Sequence, residues 1–178
     1  MNMGQLIFVT GPVRSGKSRW AVQRAQAWGP GVVFVGTWRP TEGDPEMTAR
    51  VARHRAERPG SWRVLEAPGD VASGLEALRP SASGVILDCL TLWAADRLEA
   101  SDGAILEAWD AQLRAFKRGA WPVIVVGNEV GWSLVPEDEG LRRFRDLAGF
   151  LAQATAAAAD EAWLLVAGCP VPLKGPQR

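Results

Sequence analysis

The chain has 178 residues, enough for one domain with a full core and too few for two ordinary ones. Hydrophobic residues make up 47% and charged residues 22%, which excludes a chain too polar to collapse. Lys plus Arg balances Asp plus Glu at 20 each, so no global field draws the protein to nucleic acid or an anionic membrane, and any anion binding must be local.

Short apolar runs at 5–10, 31–37, 84–89, 122–127 and 162–167 are expected as strands, with helices between them. Their lack of apolar/polar alternation suits strands covered on both faces, hence a mainly parallel sheet flanked by helices. Residues 44–58 should form a helix: Asp44 caps it, Pro45 takes its first position, and Met47, Val51, His54 and Arg58 share a stripe. A helical stretch over 90–118 is interrupted by a turn signal at Ser101, Asp102 and Gly103, and a short strand-like piece surrounds Trp62 and Glu66. A last helix over 138–158 should turn Leu141, Phe144, Ala148, Leu151 and Thr155 to the core and keep Arg142, Arg143 and Asp146 mostly outward. Pro68, Gly69 and Pro80 read as loop punctuation, so a single domain over 1–178 is expected.

The strongest chemical signal is Gly11-Pro12-Val13-Arg14-Ser15-Gly16-Lys17-Ser18, which fits G-x-x-x-x-G-K-[ST] and lies between an expected strand and an expected helix. Its glycines let backbone N–H groups converge on phosphate oxygens and the helix N-terminus favours anions. Lys17 supplies a point charge, and the Ser18 hydroxyl can ligate magnesium. The fold expected is therefore α/β, a three-layer P-loop NTPase fold of RecA-like type with a mainly parallel central sheet. Asp88 ends an apolar strand, where such proteins hold magnesium or its water; the alternative is a cap on the helix beginning near Thr91.

His54 is the only histidine and has Arg50 and Arg58 at i−4 and i+4. It could be a half-buried packing residue. Alternatively, two guanidiniums that disfavour imidazolium while attracting phosphate would suit a neutral imidazole attacking phosphorus. Asn128-Glu129-Val130-Gly131 follows a strand at its carboxyl end, where open α/β sheets collect ligands, although the same residues also suit a turn. Cys89, inside an apolar run, reads as a buried thiol rather than half of a disulfide with Cys169. No basic leader precedes the first strand and no apolar stretch approaches the ~20 residues of a bilayer span, so a cytoplasmic protein is expected. The nine tryptophans and absent tyrosine are unusual, with exposed tryptophans a hint of apolar contact surface.

Together these pieces resemble the bifunctional adenosylcobinamide kinase and adenosylcobinamide-phosphate guanylyltransferase family of cobalamin biosynthesis. The segments that carry the resemblance are 10–19; 46–54 with Arg58, Pro59 and Trp62; 87–93; 128–131 with 135–137; and 144–146 with Gly149. The resemblance implies that His54 is the residue guanylylated by GTP and that residues 11–18 hold nucleotide phosphates. It further implies that Gly36, Thr37, Trp38, Arg55, Ala56, Glu57, Arg58 and Glu66 help bind GTP, and that Asp88 serves at the acidic position after the central strand. Pro12 and Val13 stand where small residues are usual, Trp38 and Arg39 follow Thr37, and Ser133 stands where glycine is common.

On this reading Lys17 assists phosphoryl transfer from ATP or GTP to adenosylcobinamide, and Mg2+ accompanies the nucleotide on Ser18 and Asp88. His54 then carries GMP to the phosphorylated corrinoid, and the resemblance implies a homotrimer. The competing readings are another P-loop small-molecule kinase and a nucleotide-dependent regulator, although the chain lacks the N-K-x-D guanine signature of regulatory GTPases.

Overall fold

A computed structural model describes residues 4–38, 49, 58–66 and 69–175. Its strands are β1 (Leu6–Thr10), β2 (Val32–Gly36), β3 (Arg63–Glu66), β4 (Gly84–Asp88), β5 (Val123–Val126), β6 (Glu161–Val166) and β7 (Cys169–Lys174). Its helices are α1 (Lys17–Ala25), α2 (Val71–Glu76), α3 (Leu90–Ala95), α4 (Asp102–Arg118) and α5 (Glu139–Ala158), with a 3-10 turn at Gln26–Trp28. The strands form one seven-stranded sheet in the order β3-β2-β4-β5-β1-β6-β7, parallel throughout except for the β6–β7 pair.

The four central strands are apolar on both faces because both are covered. Leu6, Phe8, Val33, Val35, Val85, Leu87, Val123 and Val125 point to one side, where Val71, Leu75, Trp93, Trp109, Phe116, Leu147 and Leu151 of α2 to α5 meet them. The alternate residues Ile7, Val9, Val32, Phe34, Ile86, Ile124 and Val126 face Ala21, Val22 and Ala25 of α1 on the other side. Strand period two thus builds two cores from one sheet, giving the three layers expected for this α/β fold.

Of the nine tryptophans only Trp132 is exposed, at 61%, so their abundance serves internal packing rather than a contact surface. Trp109 is fully buried, packs on Trp93 and Phe116, and donates from Nε1 to Thr155 at 2.8 Å.

Several expectations need correction. The break in the 90–118 stretch lies over 96–101: Ser101 accepts from the Ala104 amide as the N-cap of α4, and Asp102 and Gly103 are already helical. Leu141 is 56% exposed rather than core-facing, since Leu147, Ala148, Leu151 and Thr155 define the buried stripe of α5. Arg143 is half-buried and crosses to α4, binding the Asp102 carboxylate at 2.8 Å and the Leu98 carbonyl at 2.8 Å. Two elements escaped the sequence reading. Helix α2 has only six residues, and β7 is exposed at every position and carries Pro170 and Pro172, as befits an edge strand. The expected helix over 44–58 falls outside the described residues apart from Ala49, which is helical, and Arg58.

Candidate nucleotide-binding active site

The loop between β1 and α1 owes its shape to two glycines and a lysine. Gly11 has φ +149°, and a Cβ there would stand 2.3 Å from the Leu165 carbonyl oxygen of β6, so no other residue fits without moving the sheet. Gly16, at φ +96°, is the left-handed N-cap of α1. Between them the Ser15 amide donates to the Pro12 carbonyl at 3.3 Å, and the Ser15 carbonyl accepts from the Gly168 amide at 2.9 Å. The β6–β7 turn therefore braces the loop from outside. No local signal could have revealed that brace, because Gly168 is more than a hundred residues away.

Lys17 is 6% exposed, and its ammonium lies inside the loop, donating to the Pro12 carbonyl at 2.7 Å and to Ser15 Oγ at 3.4 Å. A buried cation among backbone dipoles at a helix N-terminus, with no acid in the first turn of α1, is a receptor for a polyanion. Val13 and Arg14 are exposed at the loop tip, and Ser18 is half-buried on the first turn of α1.

Strand register collects the other predicted residues at the same sheet end. Glu66 pairs with Gly36, Gly36 with Asp88, Asp88 with Val126, and Val126 with Val9, one residue before Thr10 and two before the loop. Glu66 is exposed, while Gly36, Trp38 and Asp88 are half-buried and Thr37 is buried. The Arg58 guanidinium lies 3.7 Å from the Phe34 ring centroid, two residues below Gly36. These groups stand at or near the carboxyl ends of the strands, the side on which open α/β sheets bind ligands.

The capping alternative for Asp88 does not apply: Cys89 is the N-cap residue of α3 and no side chain caps that helix. Asp88 is half-buried at the end of β4, and Thr37 ties β2 to the start of α3 through hydrogen bonds to Cys89. Burial, followed by the charge of Asp88, pushes the Cys89 thiol up to about 11, so Cys89 is a neutral packing residue. Among the described residues no group of three His, Cys, Asp or Glu side chains could hold a metal ion by itself. One hydroxyl and one carboxylate, Ser18 and Asp88, nevertheless fit a cation that takes most of its ligands from phosphate and water, as magnesium does.

The turn after β5 also contributes to the site. Asn128 donates to Thr91 Oγ1 at 2.9 Å, and Thr91 Oγ1 in turn lies 3.0 Å from the Cys89 sulfur. Glu129 reaches the other way: its amide donates to the Gly11 carbonyl at 3.0 Å and its Oε1 accepts from the Thr10 hydroxyl at 2.5 Å. His54, Arg55, Ala56 and Glu57 lie outside the described residues.

A strand, a glycine-shaped loop with an enclosed lysine, a helix, and an acid ending the strand two places along the sheet together define a P-loop NTPase-like nucleotide-binding protein. The family model for cobinamide kinase / cobinamide phosphate guanyltransferase matches residues 7–173, and the chain belongs to that family. It is 39% identical over 168 residues to the bifunctional adenosylcobalamin biosynthesis protein CobP of Pseudomonas aeruginosa, covering 94% of this chain and 96% of the relative. The CobU proteins of Salmonella typhimurium and Escherichia coli, also named bifunctional adenosylcobalamin biosynthesis proteins, are 36% and 34% identical, each over 95% of this chain and 99% of the relative.

Proposed function

We propose that one nucleotide site performs two successive transfers, the two activities being those that the family description and the relatives' names give. In the first, the γ-phosphoryl group of ATP or GTP passes to the aminopropanol hydroxyl of adenosylcobinamide. In the second, GMP from GTP is joined to the resulting phosphate to give adenosylcobinamide-GDP. The observation that carries this reading is the enclosed Lys17 within a loop fixed by Gly11 and Gly16, in a chain matched to the family almost from end to end.

In phosphoryl transfer the amides of the loop and Lys17 hold the phosphates and offset the charge that develops on them. Ser18 and Asp88 would hold the magnesium ion that accompanies the triphosphate, whose chemistry is charge neutralisation at its oxygens. In guanylyl transfer His54 attacks the α-phosphorus of GTP and pyrophosphate leaves, giving a guanylyl-histidine that the corrinoid phosphate then attacks. Gly36, Thr37, Trp38, Arg55, Ala56, Glu57, Arg58 and Glu66 form the nucleotide's further contacts. The assignment of Gly36, Arg58 and Glu66 is supported by their position at the same sheet end as the loop.

The working unit proposed is the whole chain as one catalytic domain, assembled as a homo-oligomer and acting in the cytoplasm. No helix among the described residues is long and apolar enough to cross a membrane, and both cysteines are free.

Incubation with α-labelled GTP and magnesium should leave an acid-labile adduct on the denatured chain, absent in His54→Ala. An unlabelled wild-type chain, or equal labelling of His54→Ala, refutes the guanylyl-histidine. Conversion of adenosylcobinamide and ATP to the phosphate should persist in His54→Ala and fall in Lys17→Ala.

A further inference from the structure

Glu129 plays no part in the scheme above, yet it is bound more closely to the phosphate loop than any other acid among the described residues. Its backbone amide holds the first glycine of the loop through the Gly11 carbonyl at 3.0 Å. Its carboxylate accepts from the hydroxyl of Thr10, a buried residue, at 2.5 Å. Oε1 is thereby fixed, and Oε2 has no hydrogen-bond partner among the described residues. Strand order places Glu129 between the two halves of the site, since β5 lies between β1, which leads into the loop, and β4, which ends in Asp88.

Electrostatics makes this an odd position for a merely structural acid. A half-buried carboxylate beside a polyanion site repels the ligand, and among the described residues no lysine or arginine forms an ion pair with it. A glutamine could accept from Thr10 equally well. A carboxylate is required where one oxygen must be held still while the other takes a proton. The Thr10 bond supplies that fixed orientation, as a buried partner does for a reacting side chain.

We propose that Glu129 is the general base of the phosphoryl-transfer step, a role that rests on the kinase reading above. Oε2 accepts the hydrogen bond of the acceptor alcohol. As the alcohol oxygen bonds to the γ-phosphorus, the bond from that phosphorus to the bridging oxygen breaks and the nucleoside diphosphate leaves with the electron pair. The alcohol proton ends on Oε2 and is lost to solvent. Thr10 is a positioning residue that acts through Glu129. The step consumes no reagent beyond the two substrates, and its proton goes to this chain's own carboxylate. The second reaction, in which a phosphate rather than an alcohol is the acceptor, has no such proton to remove and does not need Glu129.

The test compares Glu129→Gln, Glu129→Asp and Thr10→Val with the wild type, all checked for cooperative thermal unfolding. Phosphorylation of adenosylcobinamide by ATP and labelling of the chain by α-labelled GTP are measured separately. Glu129→Gln should lower kcat for phosphorylation about 100-fold or more and leave the nucleotide KM within about threefold. Glu129→Asp should recover part of the rate, Thr10→Val should lose less than Glu129→Gln, and labelling by GTP should persist in all three. If Glu129→Gln and Thr10→Val weaken both reactions alike through the nucleotide KM, Glu129 only braces the loop and the base assignment is wrong. A defect that extra magnesium repairs would place Glu129 on the metal side instead and equally overturn the proposal. A wild-type chain that phosphorylates no corrinoid removes the kinase reading and the base with it, whereas an active wild type beside a fully active Glu129→Gln removes the base alone.

Discussion

Thr37 and Cys89 bond to each other in both directions: the Thr37 hydroxyl donates to the Cys89 carbonyl at 2.7 Å and accepts from the Cys89 amide at 2.8 Å. The Thr37 amide adds a bond to the Asp88 carbonyl at 3.2 Å, so one buried side chain fastens the end of β2 to the junction of β4 and α3. Thr37→Val keeps the shape but leaves the buried Cys89 amide without its acceptor, while the Cys89 carbonyl still accepts from the Trp93 amide at 3.0 Å. One orphaned donor costs about 1–3 kcal/mol of stability. In a chain of this size that corresponds to a fall in Tm of roughly 2–12 °C. Thermal unfolding followed by tryptophan fluorescence checks it, and an unchanged Tm would mean the clasp contributes nothing.

The Cys89 thiol, pushed up to about 11 by burial and by Asp88, is protonated and enclosed at neutral pH, whereas Cys169 is exposed on β7. Iodoacetamide at about pH 8 should therefore add one group to the native chain, on Cys169, and two to the denatured chain. Peptide mass spectrometry distinguishes the two sites. Rapid native modification of Cys89 would contradict the packing of α3 against β4.

The sequence displays what depends on local pattern. Buried strands appear as unbroken apolar runs and the loop as two glycines with a lysine, and both stand where expected. Contacts that arise only in three dimensions are invisible there. The Gly11 requirement comes from Leu165 across the sheet, and the role of Glu129 depends on a threonine 119 residues away. Edge strand β7 breaks the apolar pattern because it is exposed at every position, and Pro170 and Pro172 fit only an edge strand. Leu141 fits a helical stripe by spacing alone, but α5 begins beyond the layer it packs on, so its first turn stays in solvent.

Asp160 ties the start of β1 to the end of α4, accepting from the Leu6 amide at 2.8 Å and from Lys117 at 2.7 Å. Burial alone would raise its carboxyl. The Lys117 and Leu6 hydrogen bonds and the charges of Lys117 and Lys174 outweigh that and hold it below the ordinary 3.8. Since the folded value is the lower one, the unfolded chain takes up the proton first as acid is added. The stabilisation is complete well above 3.8 and disappears as pH falls through 3.8 and then through the folded value. Asp160→Asn should narrow the difference in urea midpoint between about pH 7 and about pH 3, and an undiminished difference would assign the acid sensitivity elsewhere.

Gly11 and Gly36 separate two reasons for glycine in one site. At Gly11 the backbone has φ +149° and an added Cβ would meet the Leu165 carbonyl oxygen at 2.3 Å, so Gly11→Ala must part the loop from β6. That variant should lose stability by about 1–3 kcal/mol and bind nucleotide at least tenfold more weakly. At Gly36 nothing lies within 4 Å of the added atom, so Gly36→Ala should leave Tm within about 2 °C of wild type. If Gly36 is glycine so that the nucleotide can approach the backbone, Gly36→Ala will weaken GTP binding by calorimetry while leaving the fold intact. Undisturbed binding in Gly36→Ala would remove Gly36 from the nucleotide's contacts, and undisturbed binding in Gly11→Ala would mean that the geometry of the loop does not govern phosphate recognition.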